Sequence, residues 1–398
     1  MNAWLTSINP LPVNADGRDG ATLIGRVWLP DAAGPSPVAV VGDGLLDLSS
    51  VAPTCSQLLE LDDAVAAVRG ARSLPRIGSV ADVLANSVTS DLRPPASRLP
   101  SFLAPCDLQA VKASGVTFVA SLLERVIEEQ ARGDARKAES VRQSIVAIIG
   151  SNLRDIRPGS PQARAVKDAL IAQGVWSQYL EVGIGPDAEI FTKGQPMSAV
   201  GTGAEIGIHP KSEWNNPEPE IVLAVTSAGR IAGATLGNDV NLRDFEGRSA
   251  LLLGKAKDNN ASGAIGPFIR LFDEGFTLDD VRRCDVAVKV TGPDGFTFTA
   301  KSSMSQISRD PEELVEHAMG RHHQYPDGMM LFLGTMFAPT IDRFGPGQGF
   351  THAVGDVVEV STPSLGALVN RVNHTDAIAP WTFGTAALMT NLSRRGLL

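Results

Sequence analysis

Cysteine, histidine and aromatic side chains are scarce in this chain, and each scarcity removes a class of function. The three cysteines, Cys55, Cys106 and Cys284, are odd in number, far apart and without CxxC spacing. They suit neither a disulfide framework nor a zinc site, and read as reduced thiols of a cytoplasmic protein. Basic excess is missing too: 35 Lys and Arg face 44 Asp and Glu, a net charge of −9. Such a chain is not expected to take nucleic acid or an anionic membrane as its main partner. No apolar run approaches the roughly 20 residues that cross a bilayer. The opening Met1-Asn2-Ala3-Trp4-Leu5 has no basic stretch leading into an apolar one, so no signal peptide is expected. Uninterrupted helical pattern is rare as well. With 39 glycines and 26 prolines in 398 residues, turns are frequent, which favours many short strands over a helix bundle.

The patterning predicts an α+β chain whose larger part is mainly β. Residues 22–28 and 38–41 read as strands and 57–68 as a helix, within a small N-terminal α+β domain spanning 1–108. Residues 92–100, rich in proline, read as a linker. A helical stretch with a charged face runs from 118 to 149, broken near Gly133-Asp134, and 160–173 predicts another helix. Short strands follow at 220–225, 231–235, 287–290, 296–300, 329–333 and 357–360. A turn or short helix is expected at 277–283, and a helix opened by Asp310-Pro311 at 310–320. The catalytic unit is therefore placed at 109–398.

Chemistry enters with Glu218-Pro219-Glu220, which leads into the apolar run Ile221-Val222-Leu223-Ala224-Val225. Residues i and i+2 of a strand share a face. Two carboxylates held that close repel, and one is pushed toward neutrality unless a cation lies between them. A hard divalent metal is the simplest such cation, since it takes oxygen ligands. Asp239, after the turn at Ala228-Gly229 and a second strand, supplies a third carboxylate. An acidic chain that handles an anionic small molecule also needs a local positive centre, so a lysine belongs nearby. The bland alternative is a solvated strand end with surface glutamates.

From residue 110 onward the chain resembles the fumarylacetoacetate hydrolase family. The matching pieces come in order: Pro217-Glu218-Pro219-Glu220-Ile221, Gly237-Asn238-Asp239-Val240-Asn241-Leu242-Arg243-Asp244, Lys257, Ile265-Gly266-Pro267, Gly334-Thr335, Gly355-Asp356-Val357-Val358-Glu359, and Gly366-Ala367-Leu368-Val369-Asn370-Arg371-Val372. The resemblance implies a mixed β-sandwich roll. It implies that Glu218, Glu220 and Asp239 ligate Mg²⁺, with Mn²⁺ or Ca²⁺ as substitutes. It places the family's lysine on Lys257, with Lys255 as the alternative, and puts Thr335 at the substrate carboxylate, a structural turn being the equal alternative there. Three carboxylates and Mg²⁺ leave one net negative charge, so a lysine beside them offsets the repulsion of an anionic substrate. Arg243 and Asp244 are expected to pair behind the metal loop. A homodimer or higher homo-oligomer is expected by analogy.

The family divides by chemistry, and one position separates the branches. Its carbon–carbon hydrolases carry N-Y-x-x-H-x-x-E in a lid helix, where the His–Glu pair activates water. The corresponding run here is Thr117-Phe118-Val119-Ala120-Ser121-Leu122-Leu123-Glu124, with serine in place of histidine. Serine without a base cannot deprotonate water near neutral pH, and histidine can. The run Gly237-Asn238-Asp239-Val240, Phe245-Glu246-Gly247 and Lys257, and the pattern Gly115-Val116-Thr117-Phe118, Ser121 and Arg125, are closer to the sugar-acid dehydratase branch, of the 2-keto-3-deoxy-D-arabinonate dehydratase kind. That resemblance implies dehydration of a small anionic 2-keto-3-deoxy sugar acid to a dioxo acid such as 2,5-dioxopentanoate. Glu124 would do acid–base work, Lys257 would support the developing enolate, and Ser121 and Arg125 would contact substrate. Arg125 could equally pair with Glu128 on a solvated helix. The competing readings are a hydrolase of acylpyruvates or diketo acids, and a non-catalytic protein that keeps the site as a sensor. None of His209, His317, His322, His323, His352 and His374 is expected to be catalytic.

Overall fold

The structure, a computed structural model, describes residues 8–13, 20–89, 98–118, 156–172, 174, 176, 178–335, 341–345 and 349–398. In chain order its strands are β1 (Leu23–Leu29), β2 (Gly34–Val41), β3 (Gly44–Asp47), β4 (Arg76–Ser79), β5 (Ser101–Leu103), β6 (Ala110–Ser114), β7 (Ile190–Gly194), β8 (Glu205–Ile208), β9 (Asn215–Asn216), β10 (Pro219–Val225), β11 (Ile231–Asp239), β12 (Asn241–Leu242), β13 (Gly263–Leu271), β14 (Asp285–Thr291), β15 (Thr297–Ser303), β16 (Met329–Phe332), β17 (Val357–Thr362) and β18 (Gly366–His374). Eleven of them form one sheet in the order β4-β3-β2-β1-β13-β11-β10-β16-β6-β7, with β5 joined to β1. A second sheet runs β15-β14-β17-β18-β8, and β9 pairs with β12 as a short ribbon. The pairs β6–β16 and β8–β18 are parallel. This is the strand-rich α+β architecture expected from the turn-rich sequence.

The strand β10 shows how sequence period becomes layering. All seven of its residues are buried, and successive side chains point to opposite faces. Ile221, Leu223 and Val225 enter the core shared with Val288, Val360 and Leu368 of the second sheet. Val222 and Ala224 enter the core on the other face, with Ile269, Met330, Phe332 and the helical Leu58 and Val68. Each fully buried side chain of this size contributes about 1.5–3 kcal/mol, so the strand is fixed from both sides. Its N-terminal end, where the two glutamates lie, is correspondingly rigid.

The N-terminal strands belong to the same hydrogen-bonded sheet. Leu23 and Ile24 of β1 pair with Arg270 and Ile269 of β13. The helix expected at 57–68 is two helices, Cys55–Leu59 and Ala64–Gly70. Each has its own cap: Thr54 accepts from the Gln57 amide at 3.0 Å, and Asp63 from the Ala66 amide at 2.8 Å. An aspartate that caps a new helix ends the old one, because its side chain takes the backbone donors that a continuous helix would use.

Other elements fall close to expectation. The helix after Asp310-Pro311 spans Pro311–Ala318, and Asp310 caps it by accepting from the Glu312 amide at 2.9 Å. Residues 278–282 form a short helix, Leu278–Arg282, with a Thr277–Asp280 capping box. The second carboxylate strand is longer than predicted. It runs to Asp239, which ends the strand and does not follow it in a loop. The linker at 92–100 and the helical stretch after Phe118 lie mostly outside the described residues. Among the described residues, no helix is long and apolar enough to cross a membrane.

Candidate active site

The ends of five neighbouring strands build the site. Along the order β11-β10-β16-β6-β7, the chain presents Asp239, Glu218 with Glu220, Gly334 with Thr335, Gly115, and Glu189. Glu220 and Gly237 are register partners, and the Asp239 amide donates to the Glu218 carbonyl at 2.9 Å. Cross-strand partners share a face, so the three carboxylates converge as the i, i+2 spacing implied. Glu218, Glu220 and Asp239 are 4%, 2% and 1% exposed, and one oxygen of each lies within 4.8 Å of the others. Three buried oxygen ligands without sulfur or imidazole are the donor set of a hard divalent cation.

Two of these carboxyls move in opposite directions under burial and neighbouring charges. Burial, then the charges of Asp239 and Glu218, push the Glu220 carboxyl well above the usual range, against the pull of Lys257. The Gly334 amide donates to Glu220 Oε2 at 2.7 Å. Gly334 adopts φ +86°, and a Cβ there would lie 2.3 Å from Thr117 Oγ1, so only glycine brings that amide into place. Asp239 has the opposite shift. Burial would raise it, but Lys193 and Lys257 outweigh burial and hold it below the usual carboxylate range.

Two lysines meet at Asp239. Lys257 Nζ bonds Glu218 and lies 2.9 Å from Asp239 Oδ2. Burial works against its ammonium, yet Asp239, Glu218 and Glu246 together hold its pKa far above the ordinary lysine value. Lys257 is buried, whereas Lys255, two residues earlier on the helix Leu253–Lys257, is exposed and stacks toward Phe245. Of the two, Lys257 is the one that lies against the carboxylates. Lys193, which sequence reasoning missed, lies 2.7 Å from Asp239 Oδ1 and also donates to the carbonyls of Val240 and Lys257 at 3.1 and 2.5 Å. Three carboxylates against two ammonium groups leave one net negative charge. A divalent cation would turn this into one positive charge, which a single substrate carboxylate cancels.

A cleft opens over the triad, lined by Glu189, Glu246, Lys257, Thr335 and Gly115 among others. Thr335 is half-buried at its wall. Glu189 is a carboxylate that no motif flagged, and Glu246 stood in the run Phe245-Glu246-Gly247 without an assigned role. Glu189 precedes β7, and its carboxylate lies over Gly115: a Cβ on Gly115 would sit 1.7 Å from Glu189 Oε2. The glycine is what lets that carboxylate enter the cleft. Ser121, Glu124 and Arg125 lie outside the described residues. Arg243 and Asp244 do different jobs from the expected mutual pair. Asp244 accepts from Ser212 Oγ at 2.7 Å and the Glu213 amide at 3.0 Å, and Arg243 stacks on Trp214 at 4.2 Å.

All six histidines are among the described residues, and none lines the cleft. His352 is buried, with Nδ1 2.9 Å from Asp356 Oδ2, and Arg343 holds the same carboxylate at 2.6 and 2.7 Å. His317, His322 and His323 are exposed.

Comparison with known proteins supports the same grouping. The chain is 31% identical over 184 residues to the 2-dehydro-3-deoxy-D-arabinonate dehydratase of Saccharolobus solfataricus, covering 46% of this chain and 58% of that protein. It is 29% identical over 194 residues to a probable 2-keto-3-deoxyxylonate dehydratase of Haloferax volcanii, covering 49% and 63%. The match thus spans less than two thirds of either relative. Among solved structures, a 2-keto-3-deoxy-D-arabinonate dehydratase complexed with magnesium and 2,5-dioxopentanoate superposes with a TM-score of 0.59 at 20% identity, over 88% of this chain and 99% of that one. At that identity the superposition establishes the shared fold. Residues 163–373, more than half of the chain, match the fumarylacetoacetate (FAA) hydrolase C-terminal family, and the chain belongs to that family.

Proposed function

We propose that this protein is a Mg²⁺-dependent hydro-lyase that dehydrates a 2-keto-3-deoxy sugar acid of the pentonate type to a dioxo acid. The observation that carries the reading is a cleft lined by Glu218, Glu220 and Lys257, with Asp239 grouped beside the two glutamates and no histidine in the described wall. The reading draws further support from the dehydratase relatives in two organisms. Hydrolysis of a carbon–carbon bond needs an activated water, and no described histidine is placed to make one.

Bound at Glu218, Glu220 and Asp239, the ion would polarise the carboxylate and 2-keto oxygen of the substrate and acidify its C3 protons. Lys257, kept protonated by its carboxylate neighbours, supplies a positive charge where negative charge develops on the 2-keto oxygen. Thr335 contacts the substrate carboxylate. Glu189, placed over Gly115, takes a C3 proton. Glu124 serves the leaving 4-hydroxyl, which departs with a proton as water, and Ser121 and Arg125 contact the substrate. The unsaturated acid then tautomerises to a dioxo acid.

The test is incubation of the full chain with Mg²⁺ and either a 2-keto-3-deoxypentonate or an acylpyruvate. A semialdehyde product without pyruvate supports the lyase. Pyruvate with a second short acid would replace it by the hydrolase, and pyruvate binding without any turnover by a sensor.

A further inference from the structure

The cleft holds one carboxylate that neither the metal triad nor proton transfer uses. Glu246 ends the helix Arg243–Glu246 and lines the cleft beside Glu218, Lys257 and Thr335. Its Oε2 accepts from Asn241 Nδ2 at 2.6 Å, and the same amide donates to Glu218 Oε1 at 3.0 Å. Asn241 is buried and fixed in the β9–β12 ribbon opposite Asn216. A backbone-anchored amide thus sets the position of the Glu246 carboxylate relative to a metal ligand.

We propose that Glu246 determines specificity: its carboxylate accepts a hydrogen bond from a hydroxyl of the substrate chain beyond the 2-keto-acid end, and rejects a second carboxylate there. This deepens the dehydratase reading and rests on it. An ionised carboxylate offers acceptors only. A sugar-acid hydroxyl donates to it, whereas a keto or carboxylate oxygen would face it acceptor to acceptor inside a partly desolvated cleft. Charge points the same way. The triad, Lys193, Lys257 and a divalent ion sum to one positive charge, and the Glu189 and Glu246 carboxylates in the same cleft outweigh it. A second carboxylate would meet Glu246 with no cation among these groups left to offset it. The cleft therefore suits a hydroxylated monocarboxylate and disfavours a diacid.

The test uses the full chain with Mg²⁺ and the variants Glu246→Ala and Glu246→Gln. Three ligands are compared: a 2-keto-3-deoxypentonate, by KM where it is turned over and by calorimetric Kd otherwise; pyruvate, which lacks the hydroxyls; and oxaloacetate, a diacid. In Glu246→Ala the hydroxylated acid is expected to weaken about thirtyfold, the size of one hydrogen bond to a charged acceptor. Oxaloacetate should tighten, with Mg²⁺ and pyruvate affinities unchanged. Glu246→Gln keeps an acceptor and loses the charge, so it should regain part of the hydroxyl-dependent affinity while keeping the gain for oxaloacetate. Equal losses for pyruvate and the hydroxylated acid would overturn the proposal, and so would constants that do not change. If the wild-type chain turns over no sugar acid, the dehydratase reading fails, while the binding comparison still decides the role of Glu246.

Discussion

Lys193 Nζ lies 2.7 Å from Asp239 Oδ1, although their strands, β7 and β11, stand four places apart in one sheet. Neighbouring strands are about 4.8 Å apart, so a flat sheet would separate these two by about 19 Å. A lysine side chain cannot span that. The sheet must therefore curl until its last strand reaches back over the metal ligands. The curl puts a second ammonium group against Asp239 and sets the charge of the whole site.

The same contact predicts a stability effect that depends on metal. Removing one partner of a buried ion pair leaves the other uncompensated, at a cost of about 3–5 kcal/mol. Lys193→Met should lose stability in denaturant unfolding with chelator present, by less than that because Lys257 still pairs Asp239. Saturating Mg²⁺ should recover part of it, because the ion replaces the missing positive charge. An equal loss with and without Mg²⁺ would show that Asp239 is not a metal ligand.

Glu220 should behave as a ligand that destabilises the metal-free protein. Its carboxyl is pushed up by burial and by Asp239 and Glu218, so Glu220→Gln relieves repulsion. The variant should unfold no more easily than wild type without metal. Its Mg²⁺ affinity, measured by calorimetry, should drop more than about 100-fold, beyond what changes behind the ligand shell cost. Retained Mg²⁺ affinity would remove Glu220 from the ligand set.

Gly115→Ala tests Glu189 without touching its carboxylate. The new Cβ would overlap Glu189 Oε2, so the carboxylate must leave the cleft. Turnover of the sugar acid should fall about 100-fold, the scale of one positioned proton carrier, with Mg²⁺ binding retained. Unchanged kcat would transfer the proton step to another group.

Acid should weaken the fold through His352 and Asp356. Burial lowers the His352 pKa despite Asp356, so below about pH 6.5 the unfolded chain binds a proton that the folded chain refuses. Stability is present above that pH and is lost as pH falls toward the folded value. The Asp356 carboxyl, held low by His352 and Arg343 against burial, adds a second loss at lower pH, beginning below about 3.9. The melting temperature should thus decline in two stages. His352→Leu should flatten the first stage, and an unaltered profile would place the titrating group elsewhere.

Much of the site was legible in sequence because its signals are local. The period of two across Glu218 and Glu220, the apolar run behind them and the turn before the second strand all depend on a few neighbouring residues. Helix limits were less legible. Thr54 and Asp63 are ordinary polar residues until their side chains are seen to accept the Gln57 and Ala66 amides, so 57–68 read as continuous. Lys193 and Glu189 had no such signal, and Glu246 stood in the run Phe245-Glu246-Gly247 without a role. Lys193 lies 46 residues from Asp239, and only the curl brings it there.

The sequence by itself determined the three carboxylates, the lysine region, the α+β class and the family, because ordered motifs and strand alternation are properties of the chain. Tertiary structure buried Lys257, which the sequence already favoured, among carboxylates and left Lys255 exposed, although the two share one short helix. It alone added Lys193 to Asp239 and aimed Glu189 and Glu246 into the cleft. Those placements follow from how far a twisted sheet rolls and from where a glycine leaves space, and neither is encoded at any single position.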